Sequence, residues 1–296
     1  MLFLLMAIGS ITLITGCGSA EKKPVQNSTL QKTDSNEEQD SDRIVATTVA
    51  VTEIMDALEI DLIGIPTSYK DLPKRYDDAT EIGNPMSPDM ETIMSLKPTE
   101  VMSVSTLQYD LEPIFDDTGI GASYINLETL DDMQLEILSI GGRYDRQEQA
   151  EAIVQGIEEK IAEIEKNVEG KETPTVLILL GVPGSYLVAT ENSYIGDLVR
   201  RSGGKNIISG EEVEFLASNT EYLQKSNPDI ILRAAHGMPA EVVEMFDKEF
   251  KENTIWRHFN AVKNDRVYDL EELRFGTTGN LAVAEALDEL QEMLYP

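Results

Sequence analysis

Only two histidines and one cysteine are available to this 296-residue chain, beside eleven methionines, and that short inventory limits the chemistry it can do. His236 stands in Ala235-His236-Gly237-Met238-Pro239, at the exit of an apolar run, where small neighbours leave room for something bulky to approach the imidazole. His258, inside Ile255-Trp256-Arg257-His258-Phe259, is expected to pack in a helix in a structural role. A zinc or manganese site needs three or four clustered His, Cys, Asp or Glu ligands, which such scarcity makes hard to assemble. Porphyrin iron needs only two axial ligands, and an imidazole with a thioether is an established pair. Met86, in the turn Gly83-Asn84-Pro85-Met86-Ser87-Pro88, and Met238 each offer a thioether, and spacing alone does not choose between them. Catalytic signatures are absent: there is no His-Glu-x-x-His, no Gly-x-Ser-x-Gly and no phosphate loop, and Gly119-Ile120-Gly121 lacks the third glycine. The chain therefore reads as a binder rather than an enzyme.

The elements that must position these residues alternate between strand and helix. Arg43–Thr47 reads as a buried strand, and Thr47-Thr48 as a helix cap whose free amides at Val49 and Ala50 face whatever lies above the sheet. A loop from Thr67 to Asp78 concentrates Tyr69, Lys70, Lys74, Arg75 and Tyr76, and loops of that length in compact domains are usually functional. Ser87 is expected to cap the next helix with Pro88 at its first position. The stretch Asp145–Val168 carries Ala150, Ile153, Ile157, Ile161, Ile164 and Val168 on one stripe, and Asp145 is expected to cap it with Glu148 reaching back. Gly156 in its middle is unfavourable. Strand signals at Glu100–Ser105, Tyr124–Leu127, Thr175–Leu180, Ser185–Thr190 and Arg266–Leu270 flank this helix. The segment Asn219–Leu232 repeats the arrangement of Pro88–Met102, a glutamate near a helix start preceding a proline that leads into an apolar strand. These patterns predict an α/β chain of two Rossmann-like lobes, residues 43–144 and 170–296, joined by one long helix over 145–169. Ligands of such parallel sheets sit outside the carboxyl ends of the strands, so His236, Met86 and the loops at Thr48 and Tyr69 should line one cleft.

The formal net charge of -30 repels phosphate backbones, and without a local basic cluster it excludes nucleic acid as a partner. The N-terminus is expected to be a lipoprotein signal (residues 1–17): an apolar core from Leu2 to Ile14 precedes Ile14-Thr15-Gly16-Cys17, which resembles a bacterial lipobox whose cysteine is acylated. No positive charge precedes Leu2, and a start upstream would supply it. Residues 18–42, rich in Lys, Gln, Asn, Ser, Glu and Asp, are expected to form a disordered tether. Lipid and leash together describe a globular domain held at the outer, extracellular face of a membrane.

Several motifs go further. Pro66-Thr67-Ser68-Tyr69-Lys70, Glu81-Ile82-Gly83-Asn84-Pro85-Met86, Gly181-Val182-Pro183-Gly184-Ser185-Tyr186-Leu187-Val188-Ala189-Thr190 and His236-Gly237-Met238-Pro239 are similar to motifs of one family. From the lipobox to the C-terminus the chain resembles the haem-binding lipoproteins of iron-regulated surface determinant haem uptake systems, the substrate-binding components of ABC importers. The resemblance implies a monomer whose lobes close little on one haem b, with Met86 and His236 as axial ligands. It implies haem propionates at the amides of Val49 and Ala50 and around Tyr69 and Lys70. It also implies a surface haem donor upstream and an ABC permease downstream, with Glu91 and Glu221 docking onto permease arginines, although the helix dipole also accounts for a first-turn glutamate. The alternative on the same scaffold is a siderophore or cobalamin binder.

Overall fold

The computed structural model describes residues 42–218, 223 and 226–296. Cys17, the rest of the N-terminal signal and tether up to residue 41, and Glu221 lie outside the described residues.

The first lobe begins at β1 (Ile44–Ala46). Side chains on a strand alternate between faces, and here Ile44 and Ala46 enter one core cluster while Val45 enters another on the opposite side. A strand covered on both faces has no polar position to spare, which is why it reads as an unbroken apolar run. Thr48 then caps α1 (Val49–Ala57) with extended backbone, its hydroxyl accepting from the Val51 amide at 3.3 Å. The lobe continues through β2 (Gly64–Ile65), β3 (Thr80–Glu81), β4 (Gly83–Asn84), β5 (Ser87–Pro88), α2 (Met90–Leu96), β6 (Glu100–Val104), α3 (Gln108–Thr118) and β7 (Ala122–Ile125). Its five-stranded sheet is parallel throughout, in the order β3-β2-β1-β6-β7. The order reverses between β1 and β6, so the loops leaving these two strands diverge and open a crevice at their carboxyl ends.

One expected cap is displaced. Ser87 and Pro88 do not start α2; they form the second strand of a hairpin with Gly83 and Asn84. Asp89 caps instead, because its carboxylate reaches the Glu91 amide at 3.0 Å, the Thr92 amide at 3.1 Å and the Thr92 hydroxyl at 2.8 Å. Those bonds hold the Asp89 carboxyl below its ordinary range.

α4 (Leu130–Arg143) and α5 (Gln147–Val168) then form a helical hairpin. Asp145 does not cap α5: it stands in the left-handed region at φ 56, and Arg146 occupies the cap position without a side-chain bond. The tight reversal explains this. The Arg146 amide donates to the Gly141 carbonyl at 2.7 Å, and a Cβ at Gly141 would lie 2.4 Å from the Ala150 Cβ, so only glycine lets the two helices meet there. The stripe on α5 is buried at Ala150, Val154, Ile157, Ile161 and Ile164. At about 1.5 Å per residue the helix is a rod of roughly 33 Å.

The second lobe comprises β8 (Thr175–Val182), β9 (Ser185–Ala189), α6 (Tyr194–Arg201), β10 (Lys205–Asn206), β11 (Phe215–Ala217), β12 (Ile230–Ala235), α7 (Pro239–Glu252), α8 (Asn260–Lys263), β13 (Val267–Leu270) and α9 (Val283–Leu294). Its sheet runs β11-β9-β8-β12-β13, with β10 beside β8. The sheet is mixed rather than parallel: β9 turns back on β8 through Pro183-Gly184, with Gly184 at φ 84, and β11 is antiparallel to β9. Alternation again sorts the faces. Ile230, Leu232 and Ala234 of β12 join the cluster shared with α5, whereas Ile231 and Ala235 join the cluster under α7. Arg233 takes the α7 face as well, 8% exposed, with its guanidinium 5.6 Å from the Phe246 ring and 5.3 Å from Phe250, bonded to Asp247 at 2.9 Å and Asp269 at 2.6 Å.

α5 packs against α4 on one side and α9 on the other, so one core cluster is continuous from Ile44 through Ile161 to Leu294. Lys160 on α5 reaches Asp288 on α9 at 3.1 Å. A second join lies at α6, where the buried Asp197 accepts from the Leu130 amide of α4 at 3.0 Å and from Arg201 at 3.3 Å, and Arg201 also meets Asp131 at 2.6 Å. Among the described residues no helix is long and apolar enough to cross a membrane.

Candidate functional site

The crevice at the strand carboxyl ends contains a cavity of about 340 Å³. Thr48, Val49 and Ala50 at the start of α1, Val104, Thr106 and Leu107 at the end of β6, and the β4–β5 turn at Pro85-Met86 line it from the first lobe. His236 after β12, Glu272 and Leu273 after β13, and the Gly276–Asn280 segment close it from the second. A larger space of about 880 Å³ adjoins it, sharing Glu53, Lys70, Glu272 and Leu273, and continues between Tyr69 and α7 with Val242, Val243 and Phe246 on its apolar side.

Met86 and His236 thus face the same cavity from opposite lobes, and each has a local reason to do so. Asn84 Oδ1 accepts from the Met86 amide at 2.9 Å, which folds the hairpin tip so that the methionine stands 64% exposed. The His236 amide donates to the Gly181 carbonyl at 2.9 Å, the last rung between β12 and β8, leaving the imidazole exposed just beyond the sheet. Met238, the other thioether near the histidine, is 53% exposed at φ 48 and does not line this cavity.

The first amides of α1 point toward the cavity, where the positive end of the helix dipole suits an anion. Lys70 is the cation that lines both spaces. Its partners are acidic: burial pushes the Glu53 carboxyl up, and Lys70 pulls it partly back down. Tyr69 lines the larger space, 70% exposed, and burial together with the Glu272 carboxylate raises its phenol. Asp71 of the same loop also lines the larger space, whereas Tyr76 and Arg75 serve the fold. Tyr76 is buried with its hydroxyl on the Ile60 carbonyl at 2.7 Å, and Arg75 is engaged by Asp56 at 3.1 Å and Asp61 at 3.2 Å.

His258 is not packed as expected. It ends a 3-10 turn and is exposed, while Trp256 beside it fills the core and stacks on Phe250 at 4.3 Å. Among the described residues no group of three His, Cys, Asp or Glu side chains could hold a metal ion. Glu91 is exposed in the first turn of α2, outside the cleft. Sequence reasoning did not single out Glu53, Glu272, Thr106 or the Gly276–Asn280 segment. Glu53 had a readable signal, lying a helical turn beyond the Val49-Ala50 cap on α1; Glu272 had none, being brought in by the turn that follows β13.

Two lobes, a strut helix and a cleft at the strand ends are the build of a ligand-binding protein, and residues 44–273 match the periplasmic binding protein family. The chain belongs to that family and is a binding protein rather than an enzyme. It is 45% identical over 99% of its length, and 97% of the relative's, to the high-affinity heme uptake system protein IsdE of Staphylococcus aureus. Among solved structures it is similar to that S. aureus IsdE complexed with heme, with a TM-score of 0.83 and 47% identity over 86% of this chain and 99% of that one. An ABC transporter substrate-binding protein from Listeria monocytogenes EGD-e matches with a TM-score of 0.82 and 56% identity, covering 86% of this chain and 99% of the other.

Proposed function

We propose that this chain captures haem in the inter-lobe cleft and delivers it to an ABC permease for iron acquisition. The observation that carries the reading is that Met86 and His236, an exposed thioether and an exposed imidazole from opposite lobes, line one cavity. Two such ligands suffice for an iron already held by a porphyrin. The similarity to a protein crystallised with heme supports the same ligand class. The apolar side of the larger space suits the ring, and the Val49 and Ala50 amides with Tyr69 and Lys70 suit the propionates. An anionic ligand approaching a chain of net charge -30 needs such a local exception.

In this reading one haem b binds per monomeric chain, a surface protein supplies it, and acylation at Cys17 with the 18–42 tether holds the chain at the extracellular face of the membrane. Glu91 and Glu221 are the proposed permease contacts. Glu91 is exposed and free of the cleft, as docking requires.

Titrating hemin into the purified chain tests the ligand assignment. The expected product is a six-coordinate, low-spin spectrum, with His236→Ala and Met86→Ala each shifting the Soret band and weakening capture. A Soret band unchanged in His236→Ala overturns the ligation, and a chain that ignores hemin but takes up a ferric siderophore or cobalamin overturns the ligand class.

A further inference from the structure

The cavity shared by Met86 and His236 contains a carboxylate that neither iron ligation nor propionate binding uses. β12 and β13 run parallel with Arg233 opposite Asp269 and Ala234 opposite Leu270. The chain turns immediately after β13, and in that turn Glu272 reaches the cavity that His236 lines from the exit of β12. The Gly237 amide donates to Glu272 Oε1 at 3.0 Å, which ties the carboxylate to the peptide adjoining the histidine. Glu272 Oε2 is closed off from solvent and has no hydrogen-bond partner, a costly state for a carboxylate oxygen. An imidazole that binds metal through one nitrogen keeps an N–H on the other, and metal-bound histidines nearly always donate it to a carboxylate, carbonyl or water.

We propose that Glu272 is a positioning residue for His236: its free oxygen accepts the second imidazole N–H, fixes the ring's tautomer and orientation, and strengthens the other nitrogen as a donor to iron. The assignment rests on His236 being the iron ligand. A carboxylate partner makes the imidazole more anionic and so favours ferric over ferrous iron. The Tyr69 phenol is the competing donor: burial raises it first, and its approach toward hydrogen-bonding reach of the Glu272 carboxylate raises it further.

Glu272→Gln in the hemin-loaded full chain separates these cases. Glutamine keeps an oxygen for the Gly237 amide and nearly the same shape, while losing the charge. The expected result is a shift of about tenfold in the ferric-to-ferrous affinity ratio toward ferrous haem, roughly 59 mV in the one-electron reduction potential, with no fall in the melting temperature of the ligand-free protein. Glu272→Asp should restore part of the wild-type potential. An unchanged potential in Glu272→Gln overturns the positioning role and leaves His236 ligation standing. An equal shift from Tyr69→Phe assigns the oxygen to the phenol and also overturns it. A Soret band unchanged in His236→Ala removes the ligand reading and the role of Glu272 with it, so the two failures are told apart by which variant is silent.

Discussion

Glu214, ahead of β11 in the second lobe, and Glu128, ahead of α4 in the first, are carboxylates close enough to repel. Burial first and Glu128 second push the Glu214 carboxyl up to about 7. Its Oε1 is buried without a partner, while Glu128 accepts from the Ser105 hydroxyl at 2.8 Å. Between about pH 4.5 and 7 the folded chain keeps a proton that the unfolded chain has released. The stability this group contributes is therefore present below that window and is lost as pH rises through it. From about pH 5 to about pH 7.5 the melting temperature of the wild type should fall more than that of Glu214→Gln, and parallel curves for the two would refute the assignment. Residues of this kind are hard to read from sequence because their chemistry depends on a neighbour in the other lobe. His236 was legible because a strand exit, small neighbours and scarcity all mark it. Glu272 was not: its Gly237 contact is 35 positions away and is made by the turn that follows β13. Which of Met86 and Met238 lines the cavity was likewise closed to spacing, since it depends on how the β4–β5 turn and the β12–α7 junction stand against it.

At the scale of elements, α5 followed its pattern and its ends did not. The three-and-four spacing found the buried stripe because α4 and α9 cover one face of the helix while the other stays wet. The start was misread because the cap position belongs to a chain reversal set by Gly141, a packing constraint that lies on the preceding helix. Two glycines on this hairpin should behave oppositely. Gly156 is exposed, with nothing within 4 Å of an added Cβ, so Gly156→Ala should raise unfolding stability by about 1 kcal/mol. Gly141→Ala forces a methyl against Ala150 and should lower it by about 1–3 kcal/mol. Urea midpoints of the two variants, moving in opposite directions, check both. α3 escaped the sequence reading because Pro113 and its acidic residues mask a short apolar face of Leu111 and Phe115. Ser87-Pro88, the second strand of the β4–β5 hairpin, reads in sequence as a helix start because a serine followed by a proline fits either. In the structure Asp89, with three hydrogen bonds to offer, wins the cap.

For the whole molecule, two equivalent lobes on a strut were visible in the alternation of strands and helices and in the Pro98 and Pro228 copies, each leading into a central strand. The antiparallel β9 and β11 were not, because a buried strand reads the same in either direction. What joins the lobes at α6 could not be foreseen either, since Asp197 lies 67 positions from Leu130. Asp197 is 4% exposed and is held by Arg201 and by Arg200. Asp197→Ala would leave the buried Leu130 amide without its acceptor and Arg201 with Asp131 as its remaining carboxylate. The expected loss is about 3 kcal/mol in unfolding stability, measurable by denaturant titration, and a loss below about 0.5 kcal/mol would mean that the join contributes nothing.

That join has a use beyond stability. An amide in the first turn of a helix ordinarily exchanges its hydrogen with water freely, but Leu130 is fully buried and its amide is claimed by a carboxylate from the other half of the protein. Its deuterium uptake is therefore a built-in clock for how often the halves part, and the slowing of that one signal when cargo binds would give the free energy of engagement without any label.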